Sequence, residues 1–238
     1  MKKILITNDD GITADGIIRL ARVAAKLGEV TVMAPDHQCS AMSHRITLSE
    51  PIDVYPVSDF PVEGVRAYKS TGTPADCVRF GLLNFIEGKA DLVLSGINYG
   101  YNAGSDIQYS GTAAAALEAA STGVHAIALS EGANGVHEVT DKYLEQVIVD
   151  LMEKPLGFNQ IWNVNFPECK LSEFKGILEN RTVSPTAFYT DSYREESLPE
   201  GGTRLFVDGE YRTEALEGTD FRACVDNYIS VGIVNNIN

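Results

Sequence analysis

The chain has 238 residues, 44% hydrophobic and 22% charged, the balance of a globular protein large enough to bury one substantial core. Nineteen basic against 33 acidic residues leave a formal charge of −14 and a pI near 4.6. That balance argues against long nucleic acids, which are held through clustered Lys and Arg, but leaves room for a small phosphorylated ligand if a metal ion supplies positive charge locally.

The chain begins with a buried-strand pattern over Lys3–Thr7, followed by Ile17, Leu20, Ala21, Ala24 and Leu27 at helical spacing, with Gly28 as the expected stop. Residues 29–35 read as a second strand ended by Pro35, and a polar loop follows. Strand-like stretches come near 46–57 and 65–69, and Pro74 opens a helix carrying Val78, Leu82 and Phe85. A third clear strand, 90–96, runs into a glycine turn; 111–123 is the strongest helix; 125–130, 139–153 and 161–167 read as strand, helix and strand. This alternation predicts an α/β fold, a mostly parallel Rossmann-like sheet with helices on both faces. From residue 176 onward the chain is rich in Tyr, Thr and turn residues. It reads as β hairpins with turns at Gly201-Gly202 and Asp208-Gly209. The expected division is an α/β catalytic core over 1–175 and a β-rich extension over 176–238 that returns to the core at its end.

Four scattered cysteines, Cys39, Cys77, Cys169 and Cys224, form no CxxC pair, which fits reduced thiols better than a zinc site or disulfides. No run approaches the ~20 apolar residues of a membrane span. The expectation is a soluble cytoplasmic protein with no membrane contact.

In open parallel sheets ligands bind beyond the carboxyl ends of the strands, and the polar clusters fall there. Asn8-Asp9-Asp10-Gly11 follows the first strand, Asp36 to Ser40 the second, and Ser95 to Asn98 the third. Taken alone, Asp9-Asp10 reads as well as a helix cap beside a solvated turn carboxylate as it does as a functional pair. With Ser and Asn oxygens at the neighbouring strand ends, they suit a hard divalent cation such as Mg²⁺ or Mn²⁺. A second constellation is the glycine-rich stretch 95–116, ending in Ser110-Gly111-Thr112 at the mouth of an Ala-rich helix. A helix N-terminus there suits a phosphate; for an isolated Ser-Gly-Thr a plain N-cap is the simpler reading.

Neither a P-loop nor a GxGxxG nor a GxSxG elbow is present. His37 and His44 read as polar loop residues, and Cys39 has no clear partner for nucleophilic work. A haloacid-dehalogenase-type phosphatase would need a nucleophilic Asp where this chain has Asn8, an amide that cannot be phosphorylated in that way.

The segments "LITNDDG", "APDHQCSAMSHRIT", "STGTPADCV", "DLVLSGINYGYNAGSDIQYSGTAAAALEA" and "NVNFP", in this order over residues 1–167, resemble the successive motifs of the SurE family. The resemblance implies a divalent-metal-dependent 5′-nucleotidase: a phosphatase releasing phosphate and nucleoside from nucleoside monophosphates or another small phosphomonoester. It implies one ion (Mg²⁺ or Mn²⁺, with Ca²⁺ able to substitute in crystals) on Asp9, Asp10, Ser40 and Asn98. By the same likeness Asn98, Asn102, Ser110, Gly111 and Thr112 line the phosphate side, and Asp9 and Asp10 carry the catalysis. The C-terminal hairpins then serve a homodimer or homotetramer. Two positions depart from the family pattern: Ala41 stands where Gly is common after Ser40, and the chain closes on "ISVGIVNNIN" rather than on a Thr-Pro-Leu segment.

For this chemistry the ion would take a phosphate oxygen and spread the charge of the transition state. A water activated by the ion is the preferred nucleophile; attack or base catalysis by one aspartate stays open. The alternative of another class is a nucleotide-binding regulatory module without turnover.

Overall fold

The computed structural model describes residues 1–236. Its centre is a nine-stranded sheet built from β1 (Lys2–Thr7), β2 (Gly28–Pro35), β3 (Val54–Pro56), β4 (Arg66–Ser70), β5 (Leu92–Tyr99), β6 (His125–Glu131), β7 (Gln160–Phe166), β8 (Gly176–Arg181) and β11 (Tyr228–Asn235). The spatial order is β3-β4-β2-β1-β5-β6-β7-β11-β8. The pairs joining β4 through β7 are parallel, whereas β3 and β11 run against β4 and β7. The fold class matches the expectation of a mostly parallel α/β sheet.

Side-chain alternation along the strands builds two cores. Ile4 and Ile6 of β1, with Leu92 and Leu94 of β5 and Ile127 and Leu129 of β6, face helices α1 (Asp15–Ala24) and α4 (Glu138–Leu151). Leu5, Val93, Ala126 and Ala128 face the opposite way, onto α2 (Pro74–Phe80) and α3 (Gly111–Ser121). Because successive residues of a strand point to opposite faces, an unbroken apolar run is what a strand covered on both sides requires. Helix α3 can lie close to the sheet because its buried face is alanine: Ala115, Ala116 and Ala119 are fully buried.

Several local expectations are corrected. Gly28 does not stop α1, which ends at Ala24; it opens β2, where a Cβ would come within 2.3 Å of the Lys2 carbonyl oxygen. Of the stretch 46–57 only Val54–Pro56 is strand, because Thr47 is drawn instead to the cap of α2, its amide and hydroxyl both donating to the Asp76 carboxylate. β5 does not stop at Gly96 but runs on to Tyr99. Residues 189–211 form one hairpin, β9 (Tyr189–Ser197) paired antiparallel with β10 (Thr203–Tyr211). Gly201-Gly202 lies in its turn, whereas Asp208-Gly209 lies within β10. Between this arm and β11 sits a short helix, α5 (Asp220–Val225), capped by the Thr219 hydroxyl, which the sequence reading did not anticipate. β11 itself is inserted between β7 and β8. The final two residues of "ISVGIVNNIN" lie outside the described residues.

All four cysteines are buried free thiols. Among the described residues no helix is long and apolar enough to cross a membrane.

Candidate active site

The chain enters the sheet at β1, leaves one way to β2 and returns on the other side to β5, so the carboxyl ends of β1 and β5 flank a topological switch point. Asn8 braces the turn after β1: its side-chain amide donates to the Gly11 carbonyl at 2.9 Å and its Oδ1 accepts the Gly11 N–H at 3.2 Å. Gly11 takes a φ of +95°, which a residue with a Cβ rarely adopts. The brace holds Asp9 and Asp10 in place, and the loop after β2 closes on the same turn as Cys39 N–H donates to the Asp9 carbonyl at 2.7 Å.

Asp9 is 4% exposed. Thr112 on the first turn of α3 donates its hydroxyl to Asp9 Oδ1 at 2.5 Å and lies 3.4 Å from Asn98 Oδ1. The helix comes this near only because residue 111 is glycine, where a Cβ would sit 2.9 Å from the Asp9 Cβ. Ser110 caps α3 by accepting the Ala113 N–H at 3.0 Å. Asp10 is half-buried and accepts the Tyr99 N–H at 3.0 Å. Asn98 donates to the Gly100 carbonyl at 2.8 Å.

Burial pushes the Asp9 carboxyl up to about 6, opposed by the Thr112 hydroxyl and reinforced by the charge of Asp10. Burial also raises Asp10, opposed by the Tyr99 amide and Gln38. Among the described residues neither carboxylate forms an ion pair, although a buried charge without a partner is costly. The positive end of α3 offsets part of that cost for Asp9. Two adjacent carboxylates with Asn and Ser oxygens at hand and no cationic side chain fit a hard divalent cation. No trio of His, Cys, Asp or Glu gathers among the described residues, so the donor set is one of mixed oxygens rather than of zinc type.

The structure thus brings together Asp9, Asp10, Asn98, Gly111 and Thr112, with Ser110 at the cap. Ser40 is exposed on the loop immediately after Cys39, and that loop is tied down further by Ser43 N–H donating to the Tyr109 carbonyl at 3.0 Å. Ala41, in the place of the common glycine, holds a φ of +55°. Asn102 is engaged elsewhere: its side chain donates to Ser130 Oγ at 2.9 Å, and its main chain is held by Asn163 and Asn165. Those two asparagines went unassigned in the sequence reading. Their signal was there, since "NVN" places two amides on one face of a strand otherwise built from buried apolar residues.

A profile of the family described as "Survival protein SurE" matches residues 4–187. The chain belongs to the SurE family. Proteins called "5'-nucleotidase SurE" are 37% identical in Thermoanaerobacter sp. (strain X514), over 96% of this chain and 90% of that protein, and 38% identical in Clostridium botulinum (strain Loch Maree / Type A3), over the same shares. The crystal structure of the SurE protein from Aquifex aeolicus superposes with a TM-score of 0.83 at 32% identity, covering 99% of this chain and 94% of that one.

Proposed function

We propose that this chain is a divalent-metal-dependent phosphomonoesterase that hydrolyses nucleoside monophosphates, a 5′-nucleotidase. The observation that carries the reading is the buried Asp9 beside Asp10 with no cationic side chain among the described residues paired to either, in a chain 37% identical to a protein called 5'-nucleotidase SurE. Asp9, Asp10, Ser40 and Asn98 would hold one ion, Mg²⁺ or Mn²⁺. When bound, the ion supplies Lewis-acid charge at a phosphate oxygen.

The protein's own residues do the rest. The Asn8 brace and the Thr112 hydroxyl fix the Asp9 carboxylate so that it needs no reorganisation on binding substrate. Ser110, Gly111 and Thr112 set the positive end of α3 against the incoming phosphate, and Asn98 bounds the same space. Asn102, with its side chain committed to Ser130, serves by holding the 98–104 segment. Either aspartate would take the proton of an attacking water if it served as general base.

Residues 1–175 carry the chemistry on this reading, and within 176–238 the β9–β10 arm joins subunits into a homodimer or homotetramer. One face of the arm supports that role: Tyr193, Leu205, Val207 and Tyr211 are all at least half exposed, and the hairpin register places them together. The composition and the absence of a spanning helix among the described residues are consistent with a cytoplasmic location.

The test is phosphate release from AMP and from p-nitrophenyl phosphate with Mn²⁺, Mg²⁺ or EDTA. Release that EDTA abolishes and added metal restores is the expected result. Nucleotide binding without release at any divalent ion would overturn the proposal in favour of a regulatory module.

A further inference from the structure

Strand β6 alternates as a doubly covered strand should until its last residue. Ile127 and Leu129 point into the core beneath α1 and α4. Glu131 follows in the same series, so a carboxylate occupies an inward position where the pattern calls for an apolar side chain. Its side chain is 3% exposed, and that of its partner, Arg19 of α1, is 11% exposed. The guanidinium grips the carboxylate in a fork, Nη1 donating to Oε1 at 2.6 Å and Nη2 to Oε2 at 3.2 Å. Arg19 also donates through Nε to Asp141 of α4 at 2.9 Å, and the His137 ring lies 3.0 Å from Glu131. A buried pair of this kind adds little stability over apolar side chains of similar size. What its two directional bonds supply is one fixed arrangement of the elements they join.

Those elements carry two of the four oxygen donors of the proposed metal site. Asp10 lies on the loop that leads into α1, and Arg19 follows in the second turn of that helix. At Gly16 the helix runs against β5, where a Cβ would come within 2.0 Å of the Ile97 carbonyl oxygen, next to Asn98. From the other side, Glu131 stands opposite Tyr99 in the ladder, and its main-chain carbonyl accepts the Gly100 N–H at 2.8 Å. Tyr99 in turn donates its N–H to Asp10 at 3.0 Å. Between them lies a cavity of about 270 Å³, lined by Asp10, Gly16, Tyr99, Glu131 and His137 among others. Packed side chains therefore do not set the spacing across it, and the Arg19–Glu131 fork is the link from α1 to β6 on that side.

We propose that Arg19 and Glu131 are positioning residues for the nucleotidase: their ion pair holds α1 against the ends of β5 and β6 and so sets Asp10 relative to Tyr99 and Asn98. This deepens the metal-dependent reading and rests on it for the roles of Asp10 and Asn98. With the fork in place the two side chains are spaced before an ion arrives, and holding it requires no shift of α1.

The experiment measures Mn²⁺ affinity by calorimetry, together with exchange of the Tyr99 amide by NMR and the melting temperature, both in EDTA. In Arg19→Met/Glu131→Met, which replaces both charges with unbranched apolar side chains, Mn²⁺ binding weakens about tenfold and the Tyr99 amide exchanges faster. The melting temperature of that variant holds or rises. Arg19→Lys keeps the charge and gives up the fork. It shows the same two losses in smaller measure, and it keeps the question answerable if the double variant folds poorly. Mn²⁺ affinity and Tyr99 protection unchanged in both variants, with or without a lower melting temperature, would overturn the proposal and leave the pair a structural one. A parent protein that binds no Mn²⁺, or binds it without releasing phosphate from AMP, would instead sink the nucleotidase reading, while Tyr99 exchange would still report whether the pair holds that strand end to Asp10.

Discussion

The turn after β1 and the β9–β10 arm are both polar, surface-reaching parts of the chain, yet they are stabilised in opposite ways. Around Asp9 nearly every group has its partner within the chain: the Asn8 brace, the Thr112 hydroxyl, the Cys39 amide and the glycine that lets α3 approach. In the arm every residue of β9 after Tyr189 is exposed. It holds together by its own ladder and a few cross-strand contacts such as Arg194 over the Phe206 ring at 4.2 Å. An isolated two-stranded hairpin is marginal in water, so the arm relies on little beyond its own ladder, whereas the turn is enclosed by the chain around it.

The sharpest way to break that contrast is Asp9→Asn. Neutralising one carboxylate leaves shape and burial intact and removes the charge for which the turn is built. Turnover of AMP is expected to fall by at least ~10³-fold, about 4 kcal/mol of transition-state stabilisation. In EDTA the same substitution should leave the melting temperature unchanged or raise it, because an unpaired buried charge has been removed. The metal-induced rise in melting temperature should vanish. A variant that kept its turnover, or one that melted far lower in EDTA, would show that Asp9 is a structural residue.

The enclosed region was also the legible one. A short apolar run bounded by turn residues reads as a strand covered on both faces, so β1, β2 and β6 were readable from their residues, and Ser110 and Pro74 marked helix starts that the structure keeps. Asp9 and Asp10 could be nominated from short polar residues recurring at strand ends, and Thr112 from its place at the mouth of an Ala-rich helix, whereas Asn98 as a ligand came from the resemblance to the SurE family. What could not be read depended on contacts across the fold. Gly209 looked like a turn, but it is a site of close approach: a Cβ there would come within 2.4 Å of the Tyr189 ring and 2.6 Å of the Thr190 carbonyl oxygen. The six residues of α5 are too few to display a helical period. The destination of Asn102 was hidden as well, since nothing local says that its amide faces a serine 28 residues away.

Asn165→Ala sharpens the contrast from the supporting side of the site. Asn165 accepts the Asn102 N–H at 2.8 Å and donates to the Asn102 carbonyl at 3.0 Å, a carbonyl that Asn163 also reaches at 2.9 Å. Removing it strands the buried Asn102 amide, at a cost of about 1–3 kcal/mol, readable by urea denaturation. Because the 98–104 segment carries Asn98, kcat should fall roughly tenfold, with KM for the metal rising. Loss of stability with no change in kcat would mean that this network supports the sheet rather than the site.

The smallest effect on the single chain, and the most informative for the arm, is expected from Val207→Asp. Val207 is 71% exposed and its register neighbour Tyr193 is 57% exposed, so in a monomer the substitution is a surface change worth within about 0.5 kcal/mol. In an assembly that covers this face it would bury an unpaired carboxylate, and the equilibrium would shift to monomers. Light scattering after size exclusion separates the two cases. The parent is expected as a dimer or tetramer and the variant as a monomer whose core melts at nearly the parental temperature in dilute solution. If both were monomers, the arm's apolar face would need another occupant. If both were equally assembled, the subunit contact would lie elsewhere and the exposed row of Tyr193, Leu205 and Val207 would have no role in it.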